Sequence, residues 1–439
     1  MTRRLIVATI AASLGGLLFG FETAVINGAL PFLTDFFVLT DALKGATVSA
    51  ALVGCILGAL LAGRQSDKYG RRMVLRILAL LFLISAAGTG LAPDIYTFIG
   101  FRFIGGIAVG GASVVSPLYI SEISPAEYRG RLTVGFQLAI VTGILLAFFA
   151  DFLLIDTGAN NWRFMMLSMT VPAILFLLML FKVGRSPRWL VKEGKTDEAK
   201  RIINEVSPGA DTDKIIDDIK QSINQESIKK LAALFEKGNY RLVLIGIAVG
   251  MFNQFTGINI VMYYATDIFR SAGFSTNSAI GQTVVIGFVN LLFTLIAMRL
   301  IDKIGRKKLL LTGTLGMGTF LGLFAAAYLS DIFGSWLLLV FLICFIAFFA
   351  SSQGAVIWVL LAEIFPNNIR GRGASIGSFS HWFFNGLTTF LFPIVTGLFA
   401  GGRGTGYVFV FYSLMTFVSY YIFKKYLIEM KGKTLESKR

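Results

Sequence analysis

One histidine and two cysteines in 439 residues leave this chain without the raw material for most metal and thiol chemistry. His381 has no second imidazole with which to share an ion, so no metal site is expected. Cys55 and Cys344 both lie inside apolar runs, where free, packed thiols are expected rather than a disulfide. Acidic residues are also few: 25 Asp and Glu stand against 40 Lys and Arg, for a net charge of +15. Charged residues make up only 15% of the chain and hydrophobic ones 55%. A protein with so little polar surface cannot cover itself in water, so lipid must solvate much of it. A cleavable leader is not expected, because the apolar stretch from Leu5 is long and lacks a small-residue cleavage site. A phosphate-binding loop is missing too. Gly371-Arg372-Gly373 sits in a basic loop with no strand before it, so no cofactor and no enzymatic activity are expected.

What the chain has is long apolar runs. A hydrocarbon core needs about 20 mostly apolar residues per helix. Such runs begin near Leu5, Gly45, Met73, Ile95, Leu132 and Phe164, and again near Leu242, Ala279, Leu309, Trp336, Ala374 and Tyr407. The pattern predicts an all-α membrane protein with twelve transmembrane helices in two six-helix sets. Residues 1–181 form the first set, 182–241 a cytoplasmic linker, and 242–439 the second set with a short tail. The linker is rich in Lys, Glu and Asp, and 195–206 and 213–223 can form short amphipathic helices. Basic connections alternate with connections such as Ala92-Pro93-Asp94 and Ser330-Asp331. Basic loops stay in the cytoplasm, which places both termini inside. Topology thereby accounts for the positive charge, and no nucleic-acid partner is expected.

Two short motifs then recur in the same order. Ser66-Asp67-Lys68-Tyr69-Gly70-Arg71-Arg72 follows the second run and Asp302-Lys303-Ile304-Gly305-Arg306-Lys307-Lys308 the eighth. Glu122-Ile123-Ser124-Pro125 with Arg129-Gly130-Arg131 is matched by Glu363-Ile364-Phe365-Pro366 with Arg370-Gly371-Arg372. One half is therefore a structural copy of the other, the signature of a two-repeat transporter.

Ionisable residues inside spans are functional candidates. Glu22 lies in the first run and Arg102 in the fourth. Burial drives a lone carboxylate toward its neutral form and a neighbouring Arg draws it back, a balance suited to loading and releasing protons. A static ion pair tying two helices together is the alternative. The seventh run concentrates Asn253, Gln254, Thr256, Asn259, Tyr263 and Tyr264. Amides donate and accept together, which suits vicinal hydroxyls better than a charged ligand. Gln137, Asn290 and Asn385 add neutral donors and acceptors, and Trp358 and Trp382 add flat faces on which a sugar ring can stack. Taken singly, each residue reads more readily as an interhelical hydrogen bond or ordinary packing than as a ligand contact. His381 reads as a ligand contact, a proton carrier or a satisfied core residue. Together the set favours a cavity for a polyhydroxylated solute.

With these residues in view, the chain resembles the sugar porters of the major facilitator superfamily, especially the bacterial sugar–proton symporters. The resemblance spans nearly the whole chain. It rests on Gly15-Gly16-Leu17-Leu18-Phe19-Gly20, the twin loops, Ser186-Pro187-Arg188-Trp189, Asn253-Gln254-Phe255-Thr256-Gly257-Ile258-Asn259, Glu363-Ile364-Phe365-Pro366 and Lys431-Gly432-Lys433-Thr434-Leu435-Glu436. It implies two six-helix bundles working by alternating access, with Glu22 and Arg102 as the proton-coupling pair. It implies sugar contacts at Gln137, Asn253, Gln254, Asn259, Tyr263, Asn290, Trp358, His381, Trp382 and Asn385. A cytoplasmic gate falls on Asp67, Arg71, Arg72, Glu122, Arg129, Asp302, Arg306, Glu363 and Arg370, with Asp67 expected to work with Arg72 and Glu122 with Arg129. Arg163 stays outside that gate because its loop is expected to be external.

Several positions depart from the family pattern. Glu22 stands where Asp is usual, Asn253 replaces a Gln, and His381 replaces a Gln or Asn. Arg185 replaces a Glu before Ser-Pro-Arg, which should rewire the inner gate. Gly354-Ala355 lacks a usual proline, so a stiffer helix is expected there. Met169 stands where xylose symporters have a second membrane carboxylate, which makes Glu22 the main candidate proton carrier. The resulting expectation is proton-coupled uptake of a monosaccharide, a hexose or pentose, by a monomeric unit in a bilayer, with the short loops pointing to a bacterial inner membrane. A passive facilitator and a membrane sugar sensor remain as alternatives.

Overall fold

The computed structural model describes residues 1–226, 239–330, 335–365 and 370–427. Side chains at Asp302, Glu363 and Arg370, and the segment 431–436, fall outside the described set. Among the described residues the fold is all helical. Five long helices come first: α1 (Arg3–Phe37), α2 (Asp41–Tyr69), α3 (Arg71–Gly90), α4 (Ile95–Ile123) and α5 (Ala126–Leu154). Next are α6 (Asn161–Ser168) and α7 (Thr170–Met179), then the short α8 (Pro187–Lys192), α9 (Thr196–Val206) and α10 (Thr212–Glu226). The rest of the chain holds α11 (Asn239–Gln254), α12 (Ile258–Ser271), α13 (Thr276–Ile304), α14 (Arg306–Ser330), α15 (Ser335–Ala350), α16 (Gln353–Glu363), α17 (Arg370–Gly397) and α18 (Gly404–Tyr426).

Three spans are interrupted, each with a local cause. The α6/α7 break follows from Pro172, which has no N–H to give to the Ser168 carbonyl one turn earlier. Between α11 and α12 the chain turns through Gly257, whose φ of 74° is left-handed and open to glycine at little cost. Its Cα also packs against the Tyr412 ring, where a methyl group would collide. The α15/α16 break falls at Ser351–Ser352, with Ser352 at φ −133° and ψ −92°. The tenth span is therefore jointed just before Gly354, where a stiffer helix was expected.

Eleven helical segments among the described residues are long and apolar enough to cross a membrane. The remaining run, α17, eleventh in chain order, is 28 residues long but carries Ser375, Ser378, Ser380, His381 and Asn385 along its length. Two of these, His381 and Asn385, belong to the site described below.

The described chain clusters into two compact units. One comprises Met1–Thr23, Val53–Ala147 and Arg163–Lys229, and the other Ala24–Leu52, Phe148–Trp162 and Lys230–Arg439. In the first unit, α1 and α5 touch backbone to backbone. A methyl at Gly20 would run into the Ile140 carbonyl, and one at Gly143 into the Leu17 carbonyl. The linker helices have their own small core of Trp189, Leu190, Ile202, Ile203 and Ile216. In the second unit, Val243, Phe252, Leu309, Val356, Leu360 and Phe365 form the main apolar cluster.

Candidate functional site

Glu22 and Arg102 are both buried, at 0% and 1% exposure. Arg102 Nη1 donates to Glu22 Oε1 at 2.6 Å and to the Glu22 backbone carbonyl at 2.8 Å. Glu22 Oε2 and Arg102 Nε make no hydrogen bond. The carboxyl lies against Gly105, where a side chain would meet Glu22 Oε1 and Ser85 Oγ. Glycine at 105 therefore makes room for the acid, in addition to letting helices pack. An ion pair this deep in a membrane protein is costly to desolvate, and a spare lone pair leaves it incompletely satisfied.

The polar residues of the seventh span hydrogen-bond to those of the tenth and eleventh. Asn253 Nδ2 donates to Gln353 Oε1 at 3.0 Å, and Gln254 Nε2 donates to Asn253 Oδ1 at 3.0 Å. Gln254 Nε2 also lies 2.9 Å from His381 Nδ1, and Asn259 Nδ2 donates to Gln254 Oε1 at 2.7 Å. The last bond spans the α11/α12 break. Asn385 Nδ2 donates to the Tyr263 hydroxyl at 3.3 Å. The His381 ring lies 4.9 Å from Trp358 and 5.5 Å from Trp382, centroid to centroid. With Gln254 donating, the facing His381 nitrogen is an acceptor, so the imidazole is neutral. Asn290 is buried on α13 and makes no hydrogen bond among the described residues. Gln137 is half-buried on α5, in the other unit. Neutral amides joined in a chain and flanked by two indoles can trade their mutual bonds for those of a hydroxylated guest.

A third cluster joins α2, α3, α4 and α8. Arg71 is its hub. Its Nη2 lies 2.8 Å from both Asp67 Oδ1 and Glu122 Oε1, and its Nη1 donates to the Ser66 carbonyl at 3.1 Å. Ser186 Oγ donates to Glu122 Oε2 and also caps α8, accepting from the Trp189 N–H at 3.2 Å with Pro187 at the first helical position. This corrects two expected pairings. Arg72 bonds not to Asp67 but to the Val183 carbonyl at 2.9 Å, because the next position along α3 faces another way. Arg129 is exposed and makes no ion pair among the described residues. Arg306 opens α14 as its first residue. Arg185, unusual for its position, pairs with Glu198 of α9 at 3.4 Å. Arg163 binds the carbonyls of Gly90 and Ala92, well away from this cluster in sequence.

The structure adds residues that the sequence reading passed over. Gln353, 2% exposed, links Asn253 to Thr314. In the second unit, Asn27 Nδ2 donates to the Met262 carbonyl at 3.0 Å, and its Oδ1 accepts the Thr266 N–H at 2.9 Å. Lys44 pairs with Asp267 at 3.0 Å. A polar residue inside an apolar run was the available signal for Gln353 and Asn27.

The model of the family described as "Sugar (and other) transporter" matches residues 7–438. The chain belongs to that family. It is 36% identical over 462 residues to the D-xylose-proton symporter of Escherichia coli K12, covering 98% of this chain and 94% of the relative. It is 35% identical to the arabinose-proton symporter of Bacillus subtilis, covering 98% and 93%. A solved structure of an E. coli xylose transporter in a partially occluded, inward-open conformation superposes with a TM-score of 0.87 at 34% identity, covering 98% of this chain and 99% of that one. The fold is thus that of the major facilitator superfamily, and the protein is a multi-pass membrane transporter rather than an enzyme.

Proposed function

We propose that this transporter carries a monosaccharide, a hexose or pentose, into the cell together with a proton, by alternating access. The observation that carries the reading is the buried Glu22–Arg102 pair, a titratable group with a spare acceptor in the interior of the bundle. A passive carrier needs no such group. In this reading the sugar contacts are the amides Asn253, Gln254, Asn259, Asn290, Asn385 and Gln137, with Tyr263, His381, Trp358 and Trp382 beside them. Proton binding at Glu22 removes one charge of the pair and changes the relative energy of the two open states, which ties sugar movement to the proton gradient. The functional unit is a monomer in a bacterial inner membrane with both termini cytoplasmic. Residues 1–181 and 242–439 are the two repeats, joined by 182–241.

The test uses proteoliposomes and a panel of labelled monosaccharides. A sugar that undergoes counterflow should also accumulate when the outside is made acidic, and an uncoupler should collapse that accumulation. Uptake indifferent to both would make the protein a facilitator.

The Asp67–Arg71–Glu122–Ser186 cluster is the cytoplasmic gate of the first repeat in this reading, and Asp302, Arg306, Glu363 and Arg370 its counterpart. Its ion pairs bias the equilibrium toward outward opening. Glu122→Gln keeps a hydrogen-bonding group between Arg71 and Ser186 but removes the charge. Removing about 1–2 kcal/mol from one state should slow turnover about 5- to 30-fold with little change in equilibrium sugar affinity. Equal losses in rate and affinity would assign Glu122 to the site instead.

A further inference from the structure

A second acid is fully buried in the helical bundle and takes no part in the mechanism above. Asp151 sits in the run Leu145–Leu154 near the end of α5 and is fully buried. Its Oδ2 accepts the Gly28 N–H of α1 at 3.2 Å, and its Oδ1 makes no hydrogen bond. The carboxyl fits because residue 28 is glycine: any side chain there would collide with the Asp151 carboxyl group. The seat is therefore shaped around the acid.

Among the described residues no cation pairs with Asp151, and Arg270 of α12 lies against Asp267. On α1 the charged residues are Arg3, Arg4, Glu22 and Asp35, of which Glu22 is taken up by Arg102 and Arg4 by Glu205. On α5 itself Glu127, Arg129 and Arg131 lie at the opposite end, five or more turns away. Helix α13, which meets α5 at Gly281 and Phe152, carries no charge from Thr276 to Met298. Asp156, beyond the end of α5, bonds to Asn277, and Lys44 is committed to Asp267. An ionised carboxylate facing a single N–H would be an uncompensated charge in the interior, whereas the acid form is the one this seat accommodates.

The position adjoins a clasp between α1 and α12. Gly28 follows Asn27, whose side chain holds the Met262 carbonyl and the Thr266 N–H of α12. We propose that Asp151 is a second proton-binding site of this transporter, distinct from Glu22, whose occupancy favours the clasped arrangement of α1 and α12. Release of the clasp admits water to Asp151 and lets the proton leave, and by linkage a bound proton stabilises the clasp. The inference rests on the symport reading only in taking the clasp to open and close during transport.

The direct test is infrared difference spectroscopy of the purified full chain in lipid as pH is raised. Wild-type protein should show two protonated-carboxyl C=O bands that disappear on titration. Asp151→Asn should remove one of them and Glu22→Gln the other. Asp151→Asn fixes the neutral form, so gradient-free exchange of labelled D-xylose should lose its dependence on pH at the alkaline side, where wild-type exchange should change at least about threefold. If the Asn variant does not fold, Asp151→Glu should shift that same band. A band that stays in place in Asp151→Glu, or persists in Asp151→Asn, overturns the proposal. So does an exchange profile identical to wild type in Asp151→Asn. The two readings fail separately. Accumulation that ignores a pH gradient while the Asp151 band still titrates defeats symport alone. A missing Asp151 band with gradient-driven accumulation intact defeats this site alone.

Discussion

Glu22→Gln is expected to abolish accumulation of sugar against its gradient while sugar binding and exchange survive. The variant keeps the shape of the site. Arg102 retains its 2.8 Å bond to the Glu22 backbone carbonyl, and the new amide oxygen can take the place of Oε1. What it loses is the ability to titrate. In proteoliposomes with an acidic exterior, the internal to external sugar ratio should fall to one. Exchange between preloaded and external sugar should stay within about tenfold of wild type, a change of about 1.4 kcal/mol or less. Glu22→Asp, one methylene shorter with the same chemistry, should restore much of the accumulation. Arg102→Ala offers the contrast, because it leaves a buried carboxyl without its cation and should lower thermal stability by about 3–5 kcal/mol if the acid stays ionised. Persistent accumulation in Glu22→Gln would move the coupling site elsewhere, with Asp151 as the first place to look.

Truncating Gln254 should produce the largest loss of sugar affinity. Its side chain touches Asn253, Asn259 and His381, more network partners than any other residue of the cluster. Gln254→Ala leaves those groups and the sugar hydroxyls to find new partners in a closed cavity, at a cost of about 1–3 kcal/mol. Affinity should weaken about 5- to 150-fold by isothermal titration with a sugar already shown to be carried. Trp358→Ala should fall in the lower part of that range, since it removes a stacking face and leaves no polar group unpaired. Wild-type affinity in both variants would take α11 and α16 out of the pocket.

The sequence made the membrane class, the spans and the paired acid and base of α1 and α4 legible, because each rests on a strong local signal. Apolar length announces a span, and a charge inside one is rare enough to stand out. The amide cluster was legible for the same reason, although its wiring was not. Nothing in the sequence says that Asn259 reaches back across the helix break to Gln254, since that depends on how the chain turns at Gly257. The gate shows a related limit. Motif order placed Asp67, Arg71, Arg72, Glu122 and Arg129 together, yet rotation along α3 decides that Arg71 faces Glu122 while Arg72 faces Val183. Asp151 is a different kind of miss. The rule that singles out Glu22 applies equally to Asp151, an aspartate inside the apolar run Leu145–Leu154.

The break between α11 and α12 divides the amide cluster between two arms of a joint. Asn253 and Gln254 sit on one arm and Asn259 and Tyr263 on the other, with Gly257 at the elbow. A molecule gripping both arms acts as a strut, and its length sets the angle at which the joint rests. Cargo and blocker can therefore share the same hydrogen-bonding groups and differ only in span. In that reading, a sugar short enough to let the elbow bend should be carried, and an analogue with a bulky group that props the arms apart should bind and stay, which makes inhibitor design here a question of reach before affinity.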